Sequence, residues 1–141
     1  MRVRLRYVTY TTGTSSAQKQ DMERMFHDLW HLRQPAVSPA GEWRPPTDVY
    51  ETPDRLVVKM ELAGVPEDHI EITLYADHLT VSGSRPDSQP SGERVAYREA
   101  QIHYGSFRAE VGLPRPVDGE RVTASLDGGM LTIELPRLSD A

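Results

Sequence analysis

Between Trp43 and Pro136 the apolar residues recur at every second position, the period of a strand with one buried and one wet face. In "RLVVKMEL" Leu56, Val58, Met60 and Leu62 share a face, with Arg55, Lys59 and Glu61 on the other. "IEITLY" turns Ile70, Ile72 and Leu74 inward, "HLTVSGS" turns Leu79 and Val81, and "SFRAEVGLP" turns Phe107, Ala109, Val111 and Leu113. The last two runs offer Val122, Ala124 and Leu126, then Leu131, Ile133 and Leu135, across a tight turn at Asp127, Gly128 and Gly129. Short strands separated by "AGVPED", "YADH" and "DGG" predict a sandwich of two antiparallel sheets rather than alternating strands and helices.

Two stretches break this period. In "SSAQKQDMERMFHDLWHLRQP" the residues Met22, Met25, Phe26, Leu29 and Trp30 are spaced by three and four, which predicts an amphipathic helix. Ser15 or Ser16 caps its start and Pro35 stops it. "QPAVSPAGEWRPP", with its repeated prolines, reads as a linker. The expected organisation is therefore an N-terminal arm with linker over residues 1–42, a strand domain over 43–136 and a very short tail over 137–141. The second exception runs from Ser82 to Tyr104. Its first half, "SGSRPDSQPSGE", is polar, and its second half, "RVAYREAQI", is expected to form a short extra strand projecting from the body. A connection of this length is rarely idle in a compact domain.

Composition narrows the chemistry. The 141 residues suit one domain and contain no cysteine, so disulfides, thiolate zinc sites and a cysteine nucleophile are excluded. A net charge of −5 with scattered Lys and Arg argues against a nucleic-acid surface. "MRVRLRYV" is basic but lacks the apolar core of a signal peptide, and no run reaches the roughly twenty apolar residues of a membrane span. A soluble, cytoplasmic chain without a membrane partner is expected. His27 and His31 stand four apart on the predicted helix but no third ligand is in register, so no metal is expected. Asp118, His103 and Ser106 supply the residue types of a hydrolytic triad without a G-x-S-x-G elbow to present the serine. "SGSRP" and "LDGG" read as hairpin turns rather than phosphate loops, and Glu67 and Asp68 as solvated turn residues after Pro66. Neither an enzyme nor a cofactor is expected.

"AGVPEDHIEITLYADHLTVSG", "YGSFRAEVGLP" and "ASLDGGMLTIELP" resemble, in order and spacing, the alpha-crystallin domain of the small heat-shock proteins, of the bacterial type. The last segment matches the family's A-x-x-x-x-G-x-L pattern at Ala124, Gly129 and Leu131; the middle one matches G-x-F followed by L-P at Gly105, Phe107, Leu113 and Pro114. One departure is local. Ala109 holds the place where the family usually has Arg, and Arg108 lies one position earlier. The resemblance implies an all-β fold, an immunoglobulin-like antiparallel β-sandwich (alpha-crystallin domain) with a helical N-terminal arm. It also implies an ATP-independent holdase that binds partly unfolded client proteins and suppresses their aggregation under stress. The alternative is a co-chaperone or adaptor module of the same architecture that binds one folded partner.

Under this resemblance Met22, Met25, Phe26, Leu29 and Trp30 become the candidate client-binding residues, and packing of the same face on the sandwich or a dimer partner remains open. Bacterial-type members swap the strand that follows the long connection into a neighbour's sheet. That implies a homodimer in which Val95 to Gln101, with Val95, Ala96, Tyr97, Arg98 and Glu99 at the contact, lie beside Thr47 to Glu51 of the partner subunit, meeting Thr47, Asp48 and Val49 of the partner subunit. The family's C-terminal I-x-I tail docks in a groove that maps here to Ile72, Leu74, Val122 and Ala124. "RLSDA" offers Leu138 alone, so a dimer or small oligomer is expected, unless the alternating Val3, Leu5, Tyr7 and Val8 dock in the groove instead.

Overall fold

The computed structural model describes residues 5–7, 41–87 and 92–139, and of residues 5–7 the backbone alone. The strands are β1 (Leu5–Tyr7), β2 (Thr47–Glu51), β3 (Arg55–Glu61), β4 (Ile70–Leu74), β5 (His78–Arg85), β6 (Gly105–Gly112), β7 (Thr123–Asp127) and β8 (Met130–Pro136). They form two sheets, in the orders β1-β4-β5-β6 and β2-β3-β8-β7. The strand pairings are antiparallel except that β1 runs parallel to β4. The architecture is the immunoglobulin-like β-sandwich that the period-two pattern predicts. The helix expected between Ser15 or Ser16 and Pro35, with His27 and His31, lies outside the described residues.

Alternation and register together make the core. Val58 of β3 is paired with Ile133 of β8, and Val81 of β5 with Ala109 of β6. Those side chains therefore point between the sheets, where they join Leu56, Met60, Leu62, Ile72, Leu74, Leu79, Phe107, Leu131 and Leu135. Burying each large apolar side chain stabilises the fold by about 1.5–3 kcal/mol. Val122, Ala124 and Leu126 are only half-buried, because β7 is the edge of its sheet and among the described residues pairs with β8 alone.

Three local expectations change. Val57 is buried although it faces away from the core; its register partners Tyr50 and Glu134 flank it on a central strand and shield it from water. "SGSRP" is not a turn, because β5 continues through it to Arg85. Gly83 sits mid-strand where a Cβ would collide with the His69 carbonyl oxygen and come within 2.8 Å of Phe107 Cζ, so glycine serves close packing there. The long connection accordingly begins at Pro86, and its second half, described from Gly92, forms no strand within the single chain. A strand needs a ladder partner, and none is offered to it among the described residues.

The β7–β8 hairpin is the expected two-residue turn. Gly128 and Gly129 both have positive φ, 58° and 80°, as the turn type that matches strand twist requires.

Candidate interaction surfaces

The edge expected to receive a strand is β2. Glu61 N donates to Pro46 O at 3.1 Å and Thr52 N to Arg55 O at 2.8 Å, so the even-numbered residues of this strand bond inward to β3. By the alternation of an antiparallel ladder, the N–H and C=O groups of Thr47, Val49 and Glu51 point to the open side. β2 pairs with β3 alone among the described residues. Val49, opposite Val58, lies on the core side of the sheet yet remains 45% exposed; Asp48 and Tyr50 lie on the outer side with Lys59, whose Nζ is 6.0 Å from the Tyr50 ring. An open edge with an uncovered Val is a template for an added strand.

The segment expected to donate a strand is the exposed stretch after Gly92. Val95, Tyr97 and Ile102 stand in solvent, Tyr97 at 58% and Ile102 at 66% exposure, and Ala96, Arg98 and Glu99 are exposed with them. The structure does not bring Val95 to Glu99 against Thr47, Asp48 and Val49 of the same chain, since β2 has no second strand partner there.

The root of that segment is well held. Arg85 closes β5 opposite Gly105 of β6. Its guanidinium donates from Nε to His103 O at 2.7 Å, from Nη2 to the same oxygen, and from Nη1 to Ala63 O at 3.2 Å. The guanidinium carbon lies 4.3 Å from the Trp43 ring centroid and 5.7 Å from that of Tyr104. Trp43, only 4% exposed, stacks on His103 at 5.7 Å and packs against Phe107 at 5.4 Å. Its indole N–H donates to Gly105 O at 3.2 Å, and its backbone bonds to Ser106 and Arg108. Sequence reasoning placed Trp43 at the start of the domain and overlooked Arg85, whose stacking partners are remote in the chain. Next to Trp43, burial pushes the Arg44 guanidinium below its ordinary pKa, and its Nε has no hydrogen-bond partner among the described residues.

The groove residues lie on strands of opposite sheets. Ile72 and Leu74 are buried on β4, and Val122 and Ala124 are half-buried beside and on β7. The outer edge of β4 is taken by β1, with Leu5 opposite Ile72, Arg6 opposite Thr73 and Tyr7 opposite Leu74. The arm segment expected as a replacement hook thus pairs with β4 in its own chain. Val3 and Val8 lie outside the described residues, as do Met22, Met25, Phe26, Leu29 and Trp30.

The triad residue types are engaged separately. Asp118 accepts from Glu120 N at 3.2 Å and caps the short 3-10 turn Gly119–Arg121, while His103 is stacked on Trp43. Among the described residues no group of three or more His, Asp and Glu is gathered as a metal site requires, and no helix is long and apolar enough to cross a membrane. Ala109, in the place of the family arginine, is buried in the core, and Arg108 turns outward to Glu110 at 2.9 Å.

The sandwich, its G-x-F strand and its Gly129 hairpin coincide with a match to the Hsp20/alpha crystallin family over residues 48–141. The chain belongs to that family. Among Hsp20 relatives, spore protein SP21 of Stigmatella aurantiaca is 40% identical over 103 residues, which cover 73% of this chain and 57% of the relative. Heat shock protein 16 of Schizosaccharomyces pombe is 30% identical over 70% of this chain and 69% of its own. The chain thus spans little more than half the length of the first of these. A solved small heat-shock protein from Xylella fastidiosa shares the fold with a TM-score of 0.62 and 28% identity, over 71% of this chain and 91% of that one.

Proposed function

We propose that this Hsp20-family chain is an ATP-independent holdase that captures partly unfolded proteins on apolar surface and works as a homodimer built by strand exchange. The observation that carries the reading is the pair of unmet surfaces on one chain: an open β2 edge at Thr47, Val49 and Glu51, and an exposed apolar segment containing Val95 and Tyr97. If Val95 and Tyr97 cover the core side over Val49 of the partner subunit, alternation sends Arg98 to the outer side with Asp48 of the partner subunit, where the charges are complementary. The amphipathic pattern of Met22, Met25, Phe26, Leu29 and Trp30 supports client capture by the arm.

Light scattering tests the activity. Near-stoichiometric protein is expected to suppress heat- or reductant-induced aggregation of several unrelated clients without ATP. Unchanged scattering for all of them refutes the holdase, and protection of a single folded partner favours an adaptor module.

A further inference from the structure

We infer that Arg85 is a positioning residue for dimer assembly, fastening the root of the exchanged connection so that the segment leaves the sandwich in one direction. The inference rests on the strand-exchange reading above and concerns residues outside the exchanged segment. Arg85 and Gly105 are register partners, so the chain between them leaves and returns at that pair as a closed connection. Freely jointed, such a connection would present its apolar residues over a wide range of directions, and ordering it on a neighbour would cost most of the contact's free energy.

Arg85 removes much of that freedom in advance. One planar guanidinium holds the returning chain at His103 O and the turn after β3 at Ala63 O, while lying over Trp43 and beside Tyr104. Trp43 in turn holds His103 by stacking and Gly105 by its indole N–H, and the chain reaches β2 four residues later. The same cluster therefore ties the root of the donating segment to the start of the receiving edge. Lysine would not replace arginine: an ammonium has no flat face to lay over an indole and no fixed fork that sends two donors to one carbonyl and a third to another.

The test uses the full chain with Trp30→Phe, so that Trp43 is the sole tryptophan, and compares Arg85→Lys and Arg85→Gln with it. Hydrogen exchange at Trp43 and Arg108, whose amides donate to Ser106 O and Trp43 O in the same cluster, is read at a dilution where the chain is monomeric, Trp43 emission reports the stacked cation, and sedimentation gives the dimer Kd. Both variants are expected to keep the β-sheet circular dichroism, to exchange about tenfold faster at these amides, to shift Trp43 emission, and to weaken the dimer about tenfold. Should Arg85→Gln fail to fold, Arg85→Lys, which keeps stem and charge, decides. Unchanged exchange with a Kd within about twofold of the parent overturns the role of Arg85. If the parent is monomeric at every concentration, the strand-exchange reading falls, and the exchange rates and emission alone decide whether Arg85 orders the root.

Discussion

At Gly129 backbone and packing both demand a residue without a Cβ. Its φ is 80°, and a Cβ built there lies 2.9 Å from Ala63 Cα, while its carbonyl accepts from Leu62 N at 2.7 Å. Gly129→Ala should destabilise the domain by about 1–3 kcal/mol, because left-handed strain and the backbone clash act together. A thermal melt should fall by several degrees, and an unchanged midpoint would show that the hairpin can slide off Ala63. This requirement was legible in the sequence as Asp-Gly-Gly between two apolar runs. The requirement at Gly83 was not, because nothing near it in the chain announces that His69 and Phe107 close on it from elsewhere. Val57 was missed for the same reason, since shielding by Tyr50 and Glu134 is a property of register.

Among the elements, β2 and β4 have contrasting edges. β4 is paired on both sides, by β5 and by β1, whereas among the described residues β2 is paired by β3 alone. The proposed strand exchange on β2 makes a specific electrostatic demand: Arg98 of one chain beside Asp48 of the partner subunit. Asp48→Lys and Arg98→Glu should each weaken the dimer by about two- to fivefold, the scale of an exposed ion pair turned repulsive, and the double variant should recover most of the loss. Sedimentation equilibrium on the three variants gives the coupling. Losses that simply add in the double variant would separate the two residues and move the exchanged strand to another register.

For the molecule as a whole, the proposed function assigns client capture to the arm and dimer assembly to the sandwich. Removing residues 1–42 should leave a folded domain, since the described core residues lie between Trp43 and Leu135, but it removes the strand on the β4 edge and the apolar residues of the arm. Client protection measured by light scattering should fall severalfold while the circular dichroism of the sheets persists. Equal protection by the shortened chain would place client binding on the sandwich, with the groove at Ile72, Leu74, Val122 and Ala124 the first surface to alter.

The period-two pattern by itself determined the fold class and nearly the whole core, because a residue's face on a strand depends only on its parity in the chain. It also determined the hairpin at Gly128 and Gly129, whose turn type follows from two adjacent glycines between apolar runs. The tertiary structure alone decided which edges are open, since edge status depends on strand order across the sheet, and it decided that Leu5–Tyr7 lies along β4. It alone gathered Trp43, Arg85 and His103 at the root of the long connection. Those three are far apart in sequence, and each is an ordinary polar or aromatic residue until folding brings the end of β5, the start of β6 and the approach to β2 to one place.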